Sequence, residues 1–396
     1  MVEFKIGDLV ITHNDPNNIS KVTEVTIEET GRIIYRVEKK GHFYPEDLKL
    51  VSDITANKEP NSTSMKTIIV TGGAGYVGSI LVRRLLQNQY RVICIDNLRF
   101  GGSALLEIWD HPNFIFKKVD ITDYAQVDQI FDHNPNCYGV IHLAAIVGDP
   151  ACKLEQQLAR KTNLDASIHL LEQAKRADIQ RFVFASTCSN YGKMAEPGGY
   201  VDESSPLAPA SLYAELKVEF ESTILNQIEK TDTFCPTCLR FATVYGISPR
   251  MRFDLTVNEF TKELALGREL VIFGEQFWRP YCYVGDFSRA ILTVLNAPKQ
   301  KVAYNVFNVG NSNENYTKKM IANELLRQIP DARIKYIKKG EDPRDYRVKF
   351  EKIVNELGFV ISKTVPEGIE EILGSIKLGI IDDPDNQRFY NIPIEK

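Results

Sequence analysis

Residues 67–78, TIIVTGGAGYVG, restrict the fold of this chain more than any other stretch. A short run rich in β-branched residues leads into a glycine-rich turn with Gly72, Gly75 and Gly78 at the fingerprint spacing and Tyr76 and Val77 inside it, and a helical apolar pattern follows in SILVRRLLQ. Glycines at a strand-to-helix turn let the backbone reverse tightly and approach a pyrophosphate, whose charge then meets the helix N-terminus. A second apolar strand, RVICID, ends at Asp96, 18 residues beyond Gly78 and next to Asn97. That is the place of an acid that binds the adenosine ribose of a dinucleotide. A carboxylate accepts from ribose hydroxyls and repels a 2′-phosphate, so the spacing selects NAD over NADP; Arg99, three residues on, is the feature that suits the phosphate instead.

From Met65 onward strands and helices alternate. The strands KTIIV, RVICID, FIFKKVD, GVIHLAA and RFVFAS are interleaved with helical stretches such as YVGSILVRRLLQNQ and TNLDASIHLLEQAKRA. This order predicts an α/β fold with a doubly wound parallel sheet (Rossmann), residues 65–246 forming mainly the dinucleotide domain and 247–396 mainly a smaller substrate lobe. Before residue 54 the pattern differs: KIGDLVI, KVTEVTI, RIIYRVEKK and HFYPEDLKLV read as short strands separated by the turn signals NDPNN, EETG and KKG. Residues 1–53 are therefore expected to form a small β-barrel, and the polar stretch 54–64, ITANKEPNSTS, a linker. With Gly7-Asp8 and Tyr44-Pro45-Glu46-Asp47-Leu48, this module resembles SH3-like barrels.

Charge narrows the partners. The net charge is −4, and residues 1–64 hold eight Lys/Arg against eleven Asp/Glu, which disfavours nucleic acid as a ligand of the module or of the whole chain. There is no basic leader with an apolar run behind it and no stretch of roughly 18 apolar residues, so a cytoplasmic protein without a membrane partner is expected. Seven cysteines, an odd number spread through a long chain, read as thiols of a reducing compartment. The CPTC pair, Cys235 and Cys238, leads into an apolar strand and has no second pair, and no histidines stand four apart, so no metal is expected.

In SLYAELKVEF, Tyr213 and Lys217 are four residues apart on one face of a helix. An ammonium beside a phenol lowers its pKa and makes it a base near neutral pH, with help from a positive nicotinamide. With these residues in view, the chain resembles the extended short-chain dehydrogenase/reductase family, in particular its nucleotide-sugar epimerases and dehydratases. The resemblance spans residues 65–373 and rests on TGGAGYVG, IDNL, VDITD, HLAA, STCSNYG, Tyr213 with Lys217, LRFATVYG, WRPYCYVGD and YNVFNVG, in that order. It implies NAD as cofactor, with Asp120 and Ile121 flanking the adenine and Leu143, Ala144 and Ala145 running beside the dinucleotide. It also implies a nucleotide-diphosphate sugar as substrate, Thr187 as the hydroxyl that binds the reacting sugar oxygen, and Arg279 with Arg344 on the diphosphate. Three positions depart from the family pattern: Thr243 stands where relatives carry asparagine, Pro280 where many carry aspartate, and Val147 where some epimerases carry lysine.

The reaction is narrowed by the residues after Thr187. Dehydratases of the family carry Asp-Glu there and decarboxylases keep the glutamate, whereas this chain has Cys188-Ser189. Oxidation and re-reduction at one carbon needs no such acid, so inversion of C4 through a transient 4-keto sugar is the expected reaction. The alternative makes Cys188 an acid–base group for epimerisation at C3 or C5, or for a dehydratase or oxidoreductase reaction. Retention of Thr187, Tyr213 and Lys217 separates either reading from a non-enzymatic NAD-binding regulator. The helices near 154–176 and 211–229 carry Leu158, Ile168, Leu212, Phe220 and Ile224 on more than one face, which together with the resemblance implies a homodimer.

Overall fold

The computed structural model describes residues 9–12, 15–27, 33–37, 41–43, 48–50, 65–193, 199–338, 340, 342 and 344–392. They divide into two compact units, within Met1–Ser64 and Met65–Lys396. In the first, β1 (Leu9–Thr12), β2 (Asp15–Ile27), β3 (Ile33–Val37), β4 (Gly41–Phe43) and β5 (Leu48–Leu50) form an antiparallel sheet in the order β4-β3-β2-β1-β5. Strand β2 takes in Pro16, Asn17 and Asn18, which the sequence pattern assigns to a turn. The β1–β2 register is irregular between Val10 and Thr12, opposite this stretch, and such an irregularity tolerates a proline that has no N–H to give. The expected motifs Gly7-Asp8 and Tyr44–Asp47 lie outside the described residues, as do the linker residues 54–64.

The second unit is built on a sheet of seven parallel strands. These are β6 (Thr67–Thr71), β7 (Arg91–Asp96), β8 (Phe114–Lys118), β9 (Gly139–His142), β10 (Arg181–Thr187), β11 (Cys235–Phe241) and, after β12 (Thr243–Tyr245), β13 (Leu270–Phe273) and β14 (Trp278–Tyr283) of a smaller lobe, β15 (Asn305–Val309). Their order is β15-β11-β10-β9-β6-β7-β8, so the winding reverses between β6 and β9. Side chains alternate across the strands and fill two cores. Ile68, Val70, Val92 and Cys94 pack on one face with Leu81, Leu85 and Ile291 from the helices Gly78–Gln87 and Val284–Asn296. Ile69, Ile93, Ile95 and Val140 pack on the other with Val127, Leu170 and Phe220 from Tyr124–Asp132, Ala166–Arg176 and Leu212–Ser222.

The smaller lobe has its own core around Phe253, Val257, Ile272, Ile321 and Ile369. It carries the three-stranded sheet β12-β14-β16 (β16 is Asn315–Thr317) and the parallel pair of β13 with β17 (Ile334–Ile337). Among the apolar residues expected to seek a second subunit, Phe220 and Ile224 are fully buried in this chain's own core, because their helix turns that face to the sheet. Leu158, Ile168 and Leu212 are only partly covered, and Leu154 is 71% exposed. Among the described residues no helix is long and apolar enough to cross a membrane.

His142, at the end of β9, is sealed between Thr71 and Ser167, with Nδ1 at 2.8 Å from Thr71 Oγ1 and Nε2 at 2.8 Å from Ser167 Oγ. Burial, then the Lys217 charge, brings it down to about 3. The folded protein thus holds it neutral while the unfolded chain takes up a proton below 6.5, and stability is lost as pH falls from 6.5 toward 3. The loss expected from this one residue is about 3–5 kcal/mol over the full window. Urea midpoints measured against pH should fall less steeply across that window in His142→Gln than in the native protein.

Candidate active site

The turn after β6 approaches the segment after β9. Gly72 has a φ of +75°, and a Cβ there would stand 2.8 Å from the Ala144 nitrogen; a Cβ on Gly78 would stand 2.1 Å from the Gly72 carbonyl oxygen. Only glycine satisfies both approaches. Beside them opens a cavity of about 600 Å³ at the carboxyl ends of the strands, where the winding reverses, and this is where open α/β sheets bind ligands.

One side of the cavity carries Gly72, Gly75, Tyr76, Val77, Gly78, Asp96, Asn97, Asp120, Ile121, Leu143, Ala144 and Ala145, the residues expected around a dinucleotide. Asp96 accepts from the N–H groups of Ala74 at 3.0 Å and Leu98 at 2.8 Å, which fixes its carboxylate at the mouth of the glycine turn. Burial pushes this carboxyl up, against those two bonds and the Arg250 charge. Asn97 donates to Asp120 at 2.8 Å. Arg99, the residue that would suit a 2′-phosphate, has its guanidinium paired with Glu155. The glycine cradle, the oriented carboxylate and the neutralised arginine all fit NAD.

Thr187, the last residue of β10, and Ser186 and Ser189 beside it also line the cavity, as do Tyr213 and Lys217 from the helix Leu212–Ser222. Ser211 caps that helix and is tied to Asp149 at 2.6 Å. The Lys217 ammonium donates to the Ala185 carbonyl oxygen at 2.8 Å and lies 5.8 Å from the centre of the Tyr213 ring. Burial brings this lysine down to about 8. The phenol differs from the sequence expectation: burial, followed by the nearby Cys152, pushes Tyr213 upward, and Arg252 opposes this. A further cation beside the phenol, such as the nicotinamide of a bound NAD, would oppose this rise.

Cys188 is not brought into the site. The turn Cys188–Tyr191 folds its side chain into the core, where Sγ donates to the Arg240 carbonyl oxygen at 3.2 Å and burial raises the thiol far above its ordinary value. Beneath the turn lies a buried ion pair: the guanidinium of Arg240 grips Glu221, which also accepts from Ser186 at 2.8 Å, and Arg240 donates to the Tyr191 hydroxyl at 2.9 Å.

The opposite wall comes from the smaller lobe and holds Thr243, Arg279 and Arg344. Arg279 pairs with Asp342 at 3.0 Å beneath the Tyr346 ring, and Arg344 pairs with Asp149 at 2.7 Å. Arg250, Arg252, Tyr281 and Tyr346 line the same wall and were not singled out in the sequence. The run SPRMR, residues 248–252, with two arginines at alternate positions, was the available signal.

A Rossmann sheet with a glycine turn, an acid for the ribose and a Thr–Tyr–Lys set in one cavity defines an enzyme that uses a bound dinucleotide. Residues 68–310 match the NAD dependent epimerase/dehydratase family, and the chain belongs to it. Its cofactor is NAD. A dTDP-glucose 4,6-dehydratase of Neisseria gonorrhoeae is 28% identical over 335 residues, 77% of this chain and 94% of that protein. A UDP-glucose 4-epimerase of Schizosaccharomyces pombe is 29% identical over 59% of this chain and 72% of its own length. Among solved structures, the UDP-glucose 4-epimerase of Thermotoga maritima with UDP-glucose superimposes with a TM-score of 0.70 at 28% identity, covering 79% of this chain and 99% of that one.

Asp96→Ala should lose NAD at least about tenfold, since it removes a charged acceptor from the ribose. Denaturing the native protein, purified without added nucleotide, should release NAD, whereas the variant should release little. NADP as the main nucleotide released would overturn the reading of Asp96 and Arg99.

Proposed function

We propose that the protein is a nucleotide-sugar epimerase inverting C4 through a transient 4-keto sugar. The observation that carries this reading is the distribution of acids in the cavity. Among its described lining residues the carboxylates are Asp96, Asp120 and Asp342. Asp96 and Asp120 belong to the dinucleotide side, and Asp342 is engaged by Arg279. The places next to Thr187 supply a thiol turned into the core and the Ser189 hydroxyl, so an acid–base pair for eliminating water is missing there.

In this reading Thr187 donates to the sugar oxygen at C4, Tyr213 takes the proton from that oxygen, and Lys217 holds the phenol's charge in check. NAD, held by the glycine turn and Asp96, would supply the hydride acceptor and donor for that carbon, and Tyr213 gives the proton back to the oxygen when the carbon is reduced on its other face. Arg279 and Arg344 leave their carboxylates to hold the diphosphate, for which a guanidinium fork is well shaped. The sugar therefore turns on an anchored diphosphate. Residues 1–53 act as an SH3-like appendage, and the partly covered Leu158, Ile168 and Leu212 support a cytoplasmic homodimer formed through the helices 154–176 and 211–229.

A panel of UDP-, dTDP-, GDP- and CDP-sugars run in D₂O tests the reaction. A C4 epimer without carbon-bound deuterium is expected, because a hydride held by the cofactor does not exchange with water. Deuterium at C3 or C5, or a dehydrated product, would overturn the reading, and its loss in Cys188→Ala would make the thiol the acid–base group. Tyr213→Phe should lower kcat by about 10²–10⁴ while NAD binding by calorimetry stays near the native value. Unchanged turnover in that variant removes Tyr213 from the mechanism.

A further inference from the structure

Two buried polar atoms from outside the glycine turn lack partners among the described residues and belong to side chains lining the cavity. Arg250, 6% exposed, has an unpaired Nε–H, while its Nη2 donates to the Tyr390 carbonyl oxygen at 3.4 Å. Oδ1 of Asn391, the next residue along, is buried without a donor. Asn391 also borders a small recess with Arg99, Phe100 and Ala145–Val147, and the Arg250 guanidinium lies 4.4 Å from the centre of the Phe100 ring. The charges of Arg250 and Asp96 act on one another, which places Arg250 at the ribose end of the site.

Both groups are held in place by other contacts. The loop carrying Arg250 is latched to the glycine turn: the Tyr76 hydroxyl donates to the Gly246 carbonyl oxygen at 2.6 Å, and the Ser248 hydroxyl to the Tyr76 carbonyl oxygen at 2.6 Å. The segment carrying Asn391 is fastened by Phe253 N–H to the Phe389 carbonyl oxygen at 2.9 Å and by Lys262 to the Tyr390 hydroxyl at 2.8 Å. Leaving a buried donor and a buried acceptor unmade is costly, and here the two, of opposite polarity, belong to side chains that line one cavity. A ligand with a free oxygen and a free hydroxyl would satisfy both.

We propose that Arg250 and Asn391 form a cap from the smaller lobe over the adenosine half of NAD, Arg250 Nε–H donating to a ribose or diphosphate oxygen and Asn391 Oδ1 accepting from a ribose hydroxyl. The cap is independent of which reaction the sugar undergoes, so it stands or falls on cofactor binding alone. Its consequence is slow release of the dinucleotide, because Arg250 and Asn391 must withdraw before the adenosine can leave.

The test uses the full-length protein stripped of nucleotide, with Arg250→Met and Asn391→Leu. Each variant should raise the Kd for NAD and for ADP-ribose by about tenfold, leave that for nicotinamide mononucleotide unchanged, and leave UDP binding near native. Without NAD, the Tm of each variant should equal or exceed the native value, since a buried unpaired polar group has been removed; the Tm gain on adding NAD should shrink. Unchanged NAD affinity, a loss of UDP binding with NAD intact, or a lower nucleotide-free Tm with an undiminished gain would each overturn the proposal.

Discussion

The molecule depends on one close approach, that of the Gly72 turn to the Ala144 backbone, where the winding of the sheet reverses. A Cβ on Gly72 would stand 2.8 Å from the Ala144 nitrogen, so the two strand ends come together only because that side chain is missing. This junction puts the helix Gly78–Gln87 at the floor of the crevice and aligns Asp96, Asp120 and Leu143–Ala145 along it. β10 then delivers Thr187 to the same edge of the sheet.

The smaller lobe completes the site with charge. Its arginines are held by carboxylates: Arg279 by Asp342 and Arg344 by Asp149, while Arg252 pairs with its neighbour Asp254 at 2.7 Å. Pairing keeps these cations oriented and offsets part of the cost of removing them from water. Under the proposed function, a diphosphate entering such a wall would meet guanidinium groups already in place and would compete for charges that are engaged, which favours ligands rich enough in negative charge to take them over.

Much of this was legible because it is local in the sequence. A glycine turn, the acid after the next strand and a Tyr–Lys pair at helical spacing are each written within about twenty residues, and alternation of strands and helices gave the sheet. What escaped was assembled from distant segments: Arg250 and Asn391 lie 141 residues apart, and although the alternate arginines of SPRMR stand out, nothing in that run points to a segment as remote as Asn391. Cys188 shows why the sequence leaves both a buried thiol and an acid–base group open. Its neighbours Thr187 and Ser189 reach the cavity, but in a tight turn adjacency does not determine direction, and the core claimed the thiol. The balance at the Tyr213 phenol is hidden from the sequence for a related reason, since burial opposes the effect of a cation and the sequence gives neither the depth of the phenol nor its distance from Lys217.

The buried pair of Glu221 and Arg240 carries a consequence for how this protein can change over generations. Both side chains are almost fully enclosed, at 3% and 5% exposure, and losing one strands the other's charge at a cost of about 3–5 kcal/mol, a large share of a domain's typical stability. Neither position can drift alone, whereas a simultaneous exchange for two apolar residues would be tolerated far better. The pair thus separates this sequence from nearby alternatives by a valley that single substitutions do not cross. Since Ser186 and the turn after Thr187 rest on it, a single substitution at either member would be felt at the edge of the cavity as well as in the core.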